Sequence, residues 1–186
     1  MLFRSLNVVI DSSATPPQLS NFTSYRGISS YHSNKMVVTK SAMNELRANL
    51  PFTQLRFYCS KQQVNRTFHV ITTANSSGEA VVQYFSGQTD VMPDSCGSFV
   101  RMKNDNSMLA QLCDQWGKKN GVVKVGKWSA DDFGANGDGR LYNHAAYVSG
   151  AHHWLLGTYQ SRWECDDSNK DRLPSASGDF WKVFVR

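Results

Sequence analysis

The alternation of apolar and polar residues predicts short β-strands along most of the chain, beginning at residue 55. In LRFYC at 55–59, Leu55, Phe57 and Cys59 fall on one side of the pattern, and TFHVITT at 67–73 alternates in the same way. Successive side chains of a strand point to opposite faces, so this period of two predicts strands with one buried face. Further strands are predicted in EAVVQYF (79–85), GSFVRM (97–102), VVKVGKW (122–128), RLYNHAAYVS (140–149), HHWLLG (152–157), RWEC (162–165) and DFWKVFVR (179–186).

Two segments have helical spacing instead. In TKSAMNELRANLP the apolar residues recur every three or four positions, Thr39 or Ser41 can cap a helix, and Pro51 can stop it. The segment NSMLAQLCDQWG fits both a helix and a strand, but Ser107 as a cap and Gly117 as an end favour the helix.

The spacing of strands and turns predicts the fold class. The turn segments NSSG, SGQTD and MPDSCG separate the strands at even intervals, which is typical of an antiparallel sheet closed into a sandwich or barrel. Residues 11–35 are rich in Ser, Thr, Pro and Asn and have no sustained period. We therefore expect a leader or linker arm at 1–38 and, at 39–186, one mainly β, disulfide-stabilised domain with one or two short helices.

Composition limits the partners. The 186 residues are 40% apolar and 12% aromatic, which is enough to build a core. The net charge is +5, but the basic residues are scattered, with Lys118 and Lys119 as an adjacent pair. Nucleic-acid binding requires clustered cations, so no nucleic-acid partner is expected. No apolar run in the sequence approaches the length that crosses a bilayer.

The cysteines favour an oxidising compartment. Their number is even, they are widely spaced, and no Cys-x-x-Cys pair suggests zinc or thiol redox chemistry. Two structural disulfides are the simplest interpretation, with four buried thiols as the alternative. The four residues are Cys59, Cys96, Cys113 and Cys165.

Three glycosylation sequons agree with secretion. They begin at Asn21, Asn65 and Asn75, and we expect the last two in turns at the ends of the strand TFHVITT with exposed side chains. The start, MLFRSLNVVIDSS, is too short and too polar for a signal peptide. The protein is then either cytosolic or the carboxyl-terminal part of a longer exported chain. The cysteines favour the second alternative, so we expect a secreted, extracellular protein.

The segment DDFGANGDGR partly matches a calcium loop. Asp132, Asn136 and Asp138 occupy ligand positions of an EF-hand-like loop, but Gly134 and Asn143 break the pattern where two further ligands should be. A looser calcium loop could still form with Asp166 and Asp167 joining it. The favoured interpretation is a Gly-rich turn with capping side chains, so calcium is a possible cofactor and no other is expected.

The richest stretch is AHHWLLGTYQSRWECDD at 151–167. We predict two neighbouring strands joined by the turn GTYQS, with Trp163 and Cys165 facing the core. Glu164 between them should then point outward. Asp166 and Asp167 should mark the strand end, where carboxylates stay hydrated and can serve a cation.

The histidines allow two further hypotheses. His144, His152 and His153 are close in sequence, but the adjacent pair points to opposite faces of a strand, which argues against a transition-metal site. A hydrolase centred on His152 or His153 with Glu164 is possible. No Gly-x-Ser-x-Gly elbow is present and paired thiols cannot attack, so catalytic residues are not expected.

A resemblance supports the extracellular interpretation. Taken together, LRFYCSKQQVNRTFHVITT, AVVQYFSGQTDVMPDSCGSFVRM and the segments from GRLYNHAAYV to GDFWKVFVR resemble secreted ectodomain modules of corals and other marine invertebrates, including skeletal organic matrix proteins. A fainter likeness links the chain to fibrinogen-related and intelectin-type lectins, although their Gly-Gly-Gly-Trp opening is missing. The resemblance implies a role in an extracellular matrix or at a cell surface.

These observations lead to one principal functional hypothesis. The chain is expected to be a non-enzymatic structural or adhesive component of an extracellular, or mineralised skeletal, matrix, with matrix proteins or glycans as partners. The alternatives are a calcium-assisted carbohydrate-binding module and, third, a hydrolase. Among the aromatic residues most are expected in the core, with one or two tryptophans at the surface, and the sequence does not identify which would face a ligand.

Overall fold

The computed structural model describes residues 3–11, 18–131, 137–157 and 162–186. Its strands are β1 (Phe3–Val9), β2 (Ser20–Phe22), β3 (Lys35–Val38), β4 (Leu55–Lys61), β5 (Arg66–Thr72), β6 (Phe99–Arg101), β7 (Lys118–Lys119), β8 (Val122–Val123), β9 (Asn143–Val148), β10 (His152–Leu156), β11 (Trp163–Asp167) and β12 (Phe180–Val185). The helices are α1 (Lys40–Asn49), α2 (Ser76–Phe85) and α3 (Met108–Gln111), with 3-10 helices at Tyr25–Ser33 and Cys113–Gln115.

A seven-stranded sheet forms the centre of the molecule. Its strand order is β2-β3-β1-β12-β4-β5-β6, and every neighbouring pair is antiparallel except β2 and β3, which are parallel. Strand β12 lies between β1 and β4, so the aromatic segment near the carboxyl end is held inside the sheet. The predicted mainly β class is confirmed, with a mixed rather than purely antiparallel sheet.

The expectation of a loose arm at 1–38 is wrong for the described part of that segment. Strand β1 pairs with β12 on one side and with β3 on the other, and Leu6 and Val8 are fully buried. The sequence did not reveal this strand because the partner that orders β1 lies near residue 180. Local composition carries no signal of such a distant pairing.

A second sheet covers one face of the first. It has the order β11-β10-β9, and the Cys59–Cys165 disulfide ties β11 to β4 across the two layers. Between the layers the ring of Phe57 lies 5.1 Å from that of Trp128 and 5.4 Å from that of Trp154. The second disulfide, Cys96–Cys113, joins the segments that flank β6 and α3. All four cysteines are therefore paired, as predicted.

The helix predicted near residue 40 is confirmed as α1. Thr39 Oγ1 accepts a hydrogen bond from the amide of Ala42 at 3.2 Å, and Met43 and Leu46 are buried one turn apart. Helix α3 begins after Ser107, whose hydroxyl accepts from the amide of Ala110. The helical alternative for that segment is therefore the correct one.

The strand predicted at 79–85 is instead helix α2. Asn75 Oδ1 accepts hydrogen bonds from the amides of Ser77 and Gly78, which caps the helix. Val81, Val82 and Phe85 are fully buried, a spacing that a helix presents on one side. The run of β-branched residues favours a strand by propensity, but the cap and the packing outweigh it.

The expected surface tryptophans are also absent, since all five tryptophans are buried. Each of four indole N–H groups donates to an interior acceptor, which removes the cost of burying it. The acceptors are the carbonyls of Leu109, Leu141 and Glu164 and the hydroxyl of Ser98, for Trp116, Trp154, Trp181 and Trp128 respectively. None of the described helices is long and apolar enough to cross a lipid bilayer.

Candidate functional site

The stretch 151–167 forms two antiparallel neighbours, as predicted. Trp154 of β10 lies opposite Cys165 of β11, and Trp163 and Cys165 are both buried. Most of the predicted turn, residues 158–161, lies outside the described residues.

Glu164 does not reach solvent. It lies on the face opposite to Trp163 and Cys165, as the alternation requires, but its relative exposure is 3%. His153 Nδ1 lies 2.5 Å from Glu164 Oε2, and Arg162 donates to both carboxylate oxygens at 2.9 and 3.0 Å. Burial alone would raise the pKa of Glu164, but the bonds from His153 and Arg162 outweigh it and lower that pKa below its ordinary value.

A second histidine lies beside this pair. The ring of His144 lies 5.3 Å from that of His153, and one ligand atom each from His144, His153 and Glu164 fall within 4.8 Å of one another. The sequence argued against a metal site because the adjacent His152 and His153 point to opposite faces. The pairing of β9 with β10 instead brings His144 and His153 together. The positive φ of His144, 51°, is a tertiary detail that the sequence does not signal.

The hydrogen bond to Glu164 fixes the orientation of the His153 imidazole. With Nδ1 donating to Glu164, Nε2 of His153 is the proton acceptor, and it is buried without a hydrogen-bond partner among the described residues. Two imidazoles and a carboxylate are also a donor set that suits zinc or iron. An ion bound by all three side chains would have to replace the His153–Glu164 hydrogen bond.

The two aspartates at the end of β11 are not hydrated, which corrects the sequence prediction. Asp166 is fully buried and pairs with Arg66, and it accepts from the amides of Met108 and Leu109 at 3.0 and 2.6 Å. The pairing of β10 with β11 shifts register between His153 and Trp154, which leaves Asp166 as a β-bulge with a φ of 61°. The bulge turns the carboxylate of Asp166 towards the start of α3.

Asp167 is also committed to a partner inside the protein. Its Oδ2 lies 2.6 Å from Lys61 Nζ, and its Oδ1 accepts from the amide of Cys165 at 2.7 Å. Burial raises the pKa of Asp167 although Lys61 opposes that shift. Asp166 and Asp167 are therefore not free to join a calcium loop.

The remaining calcium prediction rests on three residues. Asp132 and Asn136 lie outside the described residues, and Asp138 is exposed. The carbonyl of Asp138 accepts a hydrogen bond from the amide of Lys40 at 2.9 Å. Calcium binding at Asp132, Asn136 and Asp138 stays a prediction.

A cleft of about 550 Å³ lies near the end of β11. Arg66, His152, Asp167 and Lys170 are among the residues that line it. His152 Nδ1 lies 3.1 Å from the carbonyl of Asp166. Neither His153 nor Glu164 lines this cleft, so the oriented imidazole and the cleft are separate features.

The glycosylation candidates have the expected positions. Asn65 and Asn75 are exposed and flank β5, as predicted, and Asn65 has a left-handed φ of 54°. Asn21 is exposed but belongs to β2 rather than to a loose arm, and its amide donates to the hydroxyl of Tyr142 at 3.3 Å. Glycosylation itself stays a prediction.

The other face of the central sheet carries a set of cations and aromatic rings that sequence reasoning missed. In this face, here called the outer face, Arg4, Phe184 and Arg56 lie side by side on β1, β12 and β4. The guanidinium carbons of Arg4 and Arg56 lie 5.7 and 4.1 Å from the centre of the Phe184 ring. Phe184 therefore lies between two cations.

Further along the outer face, cations and aromatic rings again lie next to one another. Lys182 lies opposite Tyr58, and its Nζ lies 4.7 Å from the centre of the Phe180 ring. Tyr58 stacks on His69 at 4.0 Å and contacts Phe180 edge to face at 4.7 Å. The alternation along β4 and β12 could have predicted that these side chains point away from the core. It could not have predicted which of them are neighbours, because that depends on strand order and register.

Within the described ranges, the cations of the outer face have no acidic partners. Elsewhere Arg47, Arg66, Arg101, Arg140 and Arg162 each pair with a carboxylate. No described carboxylate forms an ion pair with Arg4, Arg56 or Lys182. Burial, the larger cause, and repulsion by Arg4 both lower the pKa of Lys182, and burial lowers the pKa of Arg56.

No protein-family model, curated protein or solved structure matches this chain. The fold and its sites define the class, which is a two-disulfide, mainly β domain with a buried histidine–carboxylate cluster and a cation-rich sheet face. The function has to be inferred from the chemistry of these sites.

Proposed function

We propose that the chain is a secreted, non-enzymatic component of an extracellular matrix, with a structural or adhesive role. The observation that carries this proposal is the outer face, where Arg4, Arg56 and Lys182 have no carboxylate partners among the described residues and lie among aromatic rings. A partly exposed surface of unpaired cations and rings is suited to holding a partner.

The scaffold supports an extracellular setting. Two disulfides and no free cysteine suit an oxidising compartment, and the exposed sequons at Asn65 and Asn75 suit secretion. The resemblance to coral-type matrix modules points to the same setting. A rigid sheet locked to its covering layer by Cys59–Cys165 keeps the surface side chains at fixed spacing.

The test is retention on an extracellular matrix. The protein, secreted from cultured animal cells, is passed over decellularised matrix from a marine invertebrate, and the bound fraction is measured. Neutralising the outer face with Arg4→Gln, Arg56→Gln and Lys182→Gln should abolish retention. The matched control is the variant Lys119→Gln, Lys124→Asn and Lys170→Gln, which removes the same charge from exposed sites elsewhere and should be retained normally. Equal retention of both variants would refute the proposal.

A second candidate, a hydrolase, is favoured by one specific observation. Glu164 orients His153 at 2.5 Å and leaves its Nε2 as an acceptor, which is the arrangement of a general base. Chromogenic esters and glycosides test it, with His153→Ala compared with the neighbouring His152→Ala. The matrix proposal predicts no turnover that depends on His153. Turnover lost in His153→Ala and kept in His152→Ala would favour the hydrolase.

A further inference from the structure

We infer that the outer face binds a polyanionic glycan, a polysaccharide that carries sulfate or carboxylate groups. This inference rests on the proposed extracellular role, because it names the partner that the outer face would hold.

The three cations lie close together on a rigid surface. Arg4 and Arg56 are two strands apart, which corresponds to about 10 Å between their backbones. Lys182 is two residues from Phe184 on the intervening strand, which places it about 7 Å along the same face. Like charges at this spacing repel one another unless an anion lies between them.

The described part of the chain supplies no such anion. Asp105, which accepts from the amide of His69, is held by Arg101 at 2.8 Å. It is therefore already neutralised. An external anion is the remaining source of negative charge, and arginine forks bind sulfate and carboxylate oxygens in pairs.

The aromatic rings favour a sugar polymer over small anions. Tyr58 and Phe180 are partly exposed, whereas Phe184 is buried between the two guanidinium groups and serves to position them. Flat apolar ring faces stack on the apolar faces of sugars, while the cations bind the substituents. The partly exposed rings of Tyr58 and Phe180, next to the cations, match a chain that presents sugar rings and anionic groups in turn.

One edge of the outer face is bounded by the 3-10 helix Tyr25–Ser33. Asn7 donates to the carbonyl of Tyr31, and the guanidinium carbon of Arg4 lies 5.1 Å from the centre of the Tyr31 ring. Arg4 therefore lies between two rings, Tyr31 and Phe184, at the rim. A bound chain would run from this rim across β12 towards the partly exposed rings of Phe180 and Tyr58.

The experiment measures binding of defined glycans. Heparin, chondroitin sulfate, hyaluronate and uncharged dextran are immobilised, and dissociation constants are measured by biolayer interferometry at several salt concentrations. We expect binding to the charged glycans, no binding to dextran, and an affinity that falls as salt rises. Arg56→Gln should weaken heparin binding at least tenfold, since charge-assisted hydrogen bonds are lost.

Two further variants separate the contributions. Tyr58→Leu should weaken heparin binding without changing its salt dependence, because it removes a ring and no charge. The control variant Lys119→Gln, Lys124→Asn and Lys170→Gln should bind heparin within about twofold of the wild type, since charges outside the face act only at long range. Thermal unfolding of each variant checks that it is folded.

Several results would overturn the inference. These are equal binding of double-stranded DNA or anionic lipid vesicles, heparin binding unaffected by Arg56→Gln, and heparin binding lost when a calcium chelator is added. Matrix retention that depends on the outer face without binding to any glycan would refute this inference and leave the proposed function intact. Glycan binding without matrix retention would refute the proposed function instead.

Discussion

The ammonium nitrogen of Lys61 lies 2.6 Å from Oδ2 of Asp167 in the interior, where the two side chains are 1% and 2% exposed. Lys61 Nζ also donates to the carbonyls of Trp163 and Leu173 at 2.9 and 2.7 Å, so all three of its protons have acceptors. This pair joins the end of β4 to the end of β11. It links the two sheets at the same level as the cleft beside His152.

Removing one partner of this pair should strongly destabilise the fold. We expect Lys61→Met to lower the free energy of unfolding by about 3–5 kcal/mol, because the carboxylate of Asp167 is left buried and unpaired. The double variant Lys61→Met with Asp167→Leu should recover much of that loss. Urea unfolding monitored by tryptophan fluorescence measures both. Additive effects of the two substitutions would contradict the expectation.

The two disulfides should differ in their contribution to stability. Cys59–Cys165 closes a separation of 106 residues and Cys96–Cys113 one of 17. In the chain-entropy model a loop of about 100 residues is worth about 4.7 kcal/mol and one of about 15 residues about 3 kcal/mol. Replacing each pair with alanine and measuring urea unfolding should reproduce this order. A thiol count on denatured, unreduced protein should find no free sulfhydryl.

Glu164 should make the stability depend on pH in a defined direction. Its pKa is lowered in the folded protein, so its contribution is present above the unfolded value of about 4.3 and is lost as pH falls through the folded value. The difference in unfolding free energy between wild type and Glu164→Gln should therefore be constant near neutral pH and shrink below about pH 4. A difference that does not change with pH would show that the carboxylate charge is not involved.

Asn75 should have two separable roles. Its Oδ1 caps α2 while its Nδ2 is the atom that a glycan would occupy, so the cap and the glycan do not compete. Asn75→Ala should cost about 1 kcal/mol of unfolding free energy and also remove the glycan. Asn75→Asp should keep the cap and lose only the glycan. Urea unfolding and intact mass of protein secreted from animal cells distinguish these outcomes.

Elements with a strong local pattern were predictable. The alternation of Leu55, Phe57 and Cys59 predicted β4, and the cap at Thr39 predicted α1. Helix α2 was mistaken for a strand because its valines have β propensity, and the Asn75 cap was the local signal that could have corrected this. Strand β1 was not predicted although Leu6 and Val8 alternate with Ser5 and Asn7, because its partner β12 lies near residue 180.

The candidate sites were predictable only in part. The alternation of side chains along β11 correctly predicted that Glu164 lies on the face opposite to Trp163 and Cys165. It did not predict that this face is also buried, with Glu164 beside His153 and Arg162. Asp166 and Asp167 were expected in water because their cationic partners, Arg66 and Lys61, are 100 and 106 residues away in the sequence. The outer face was missed for the same reason.

The sequence by itself determined the class of the fold and which side of each strong element is apolar, and its cysteine number favoured two disulfides. These follow from local periodicity and cysteine number, because a strand or helix shows its buried side within a few residues. Only the tertiary structure decided which polar side chains meet. Strand order and register bring Arg4 beside Phe184 and Lys61 beside Asp167, and such pairings between distant segments are set by packing of the whole chain.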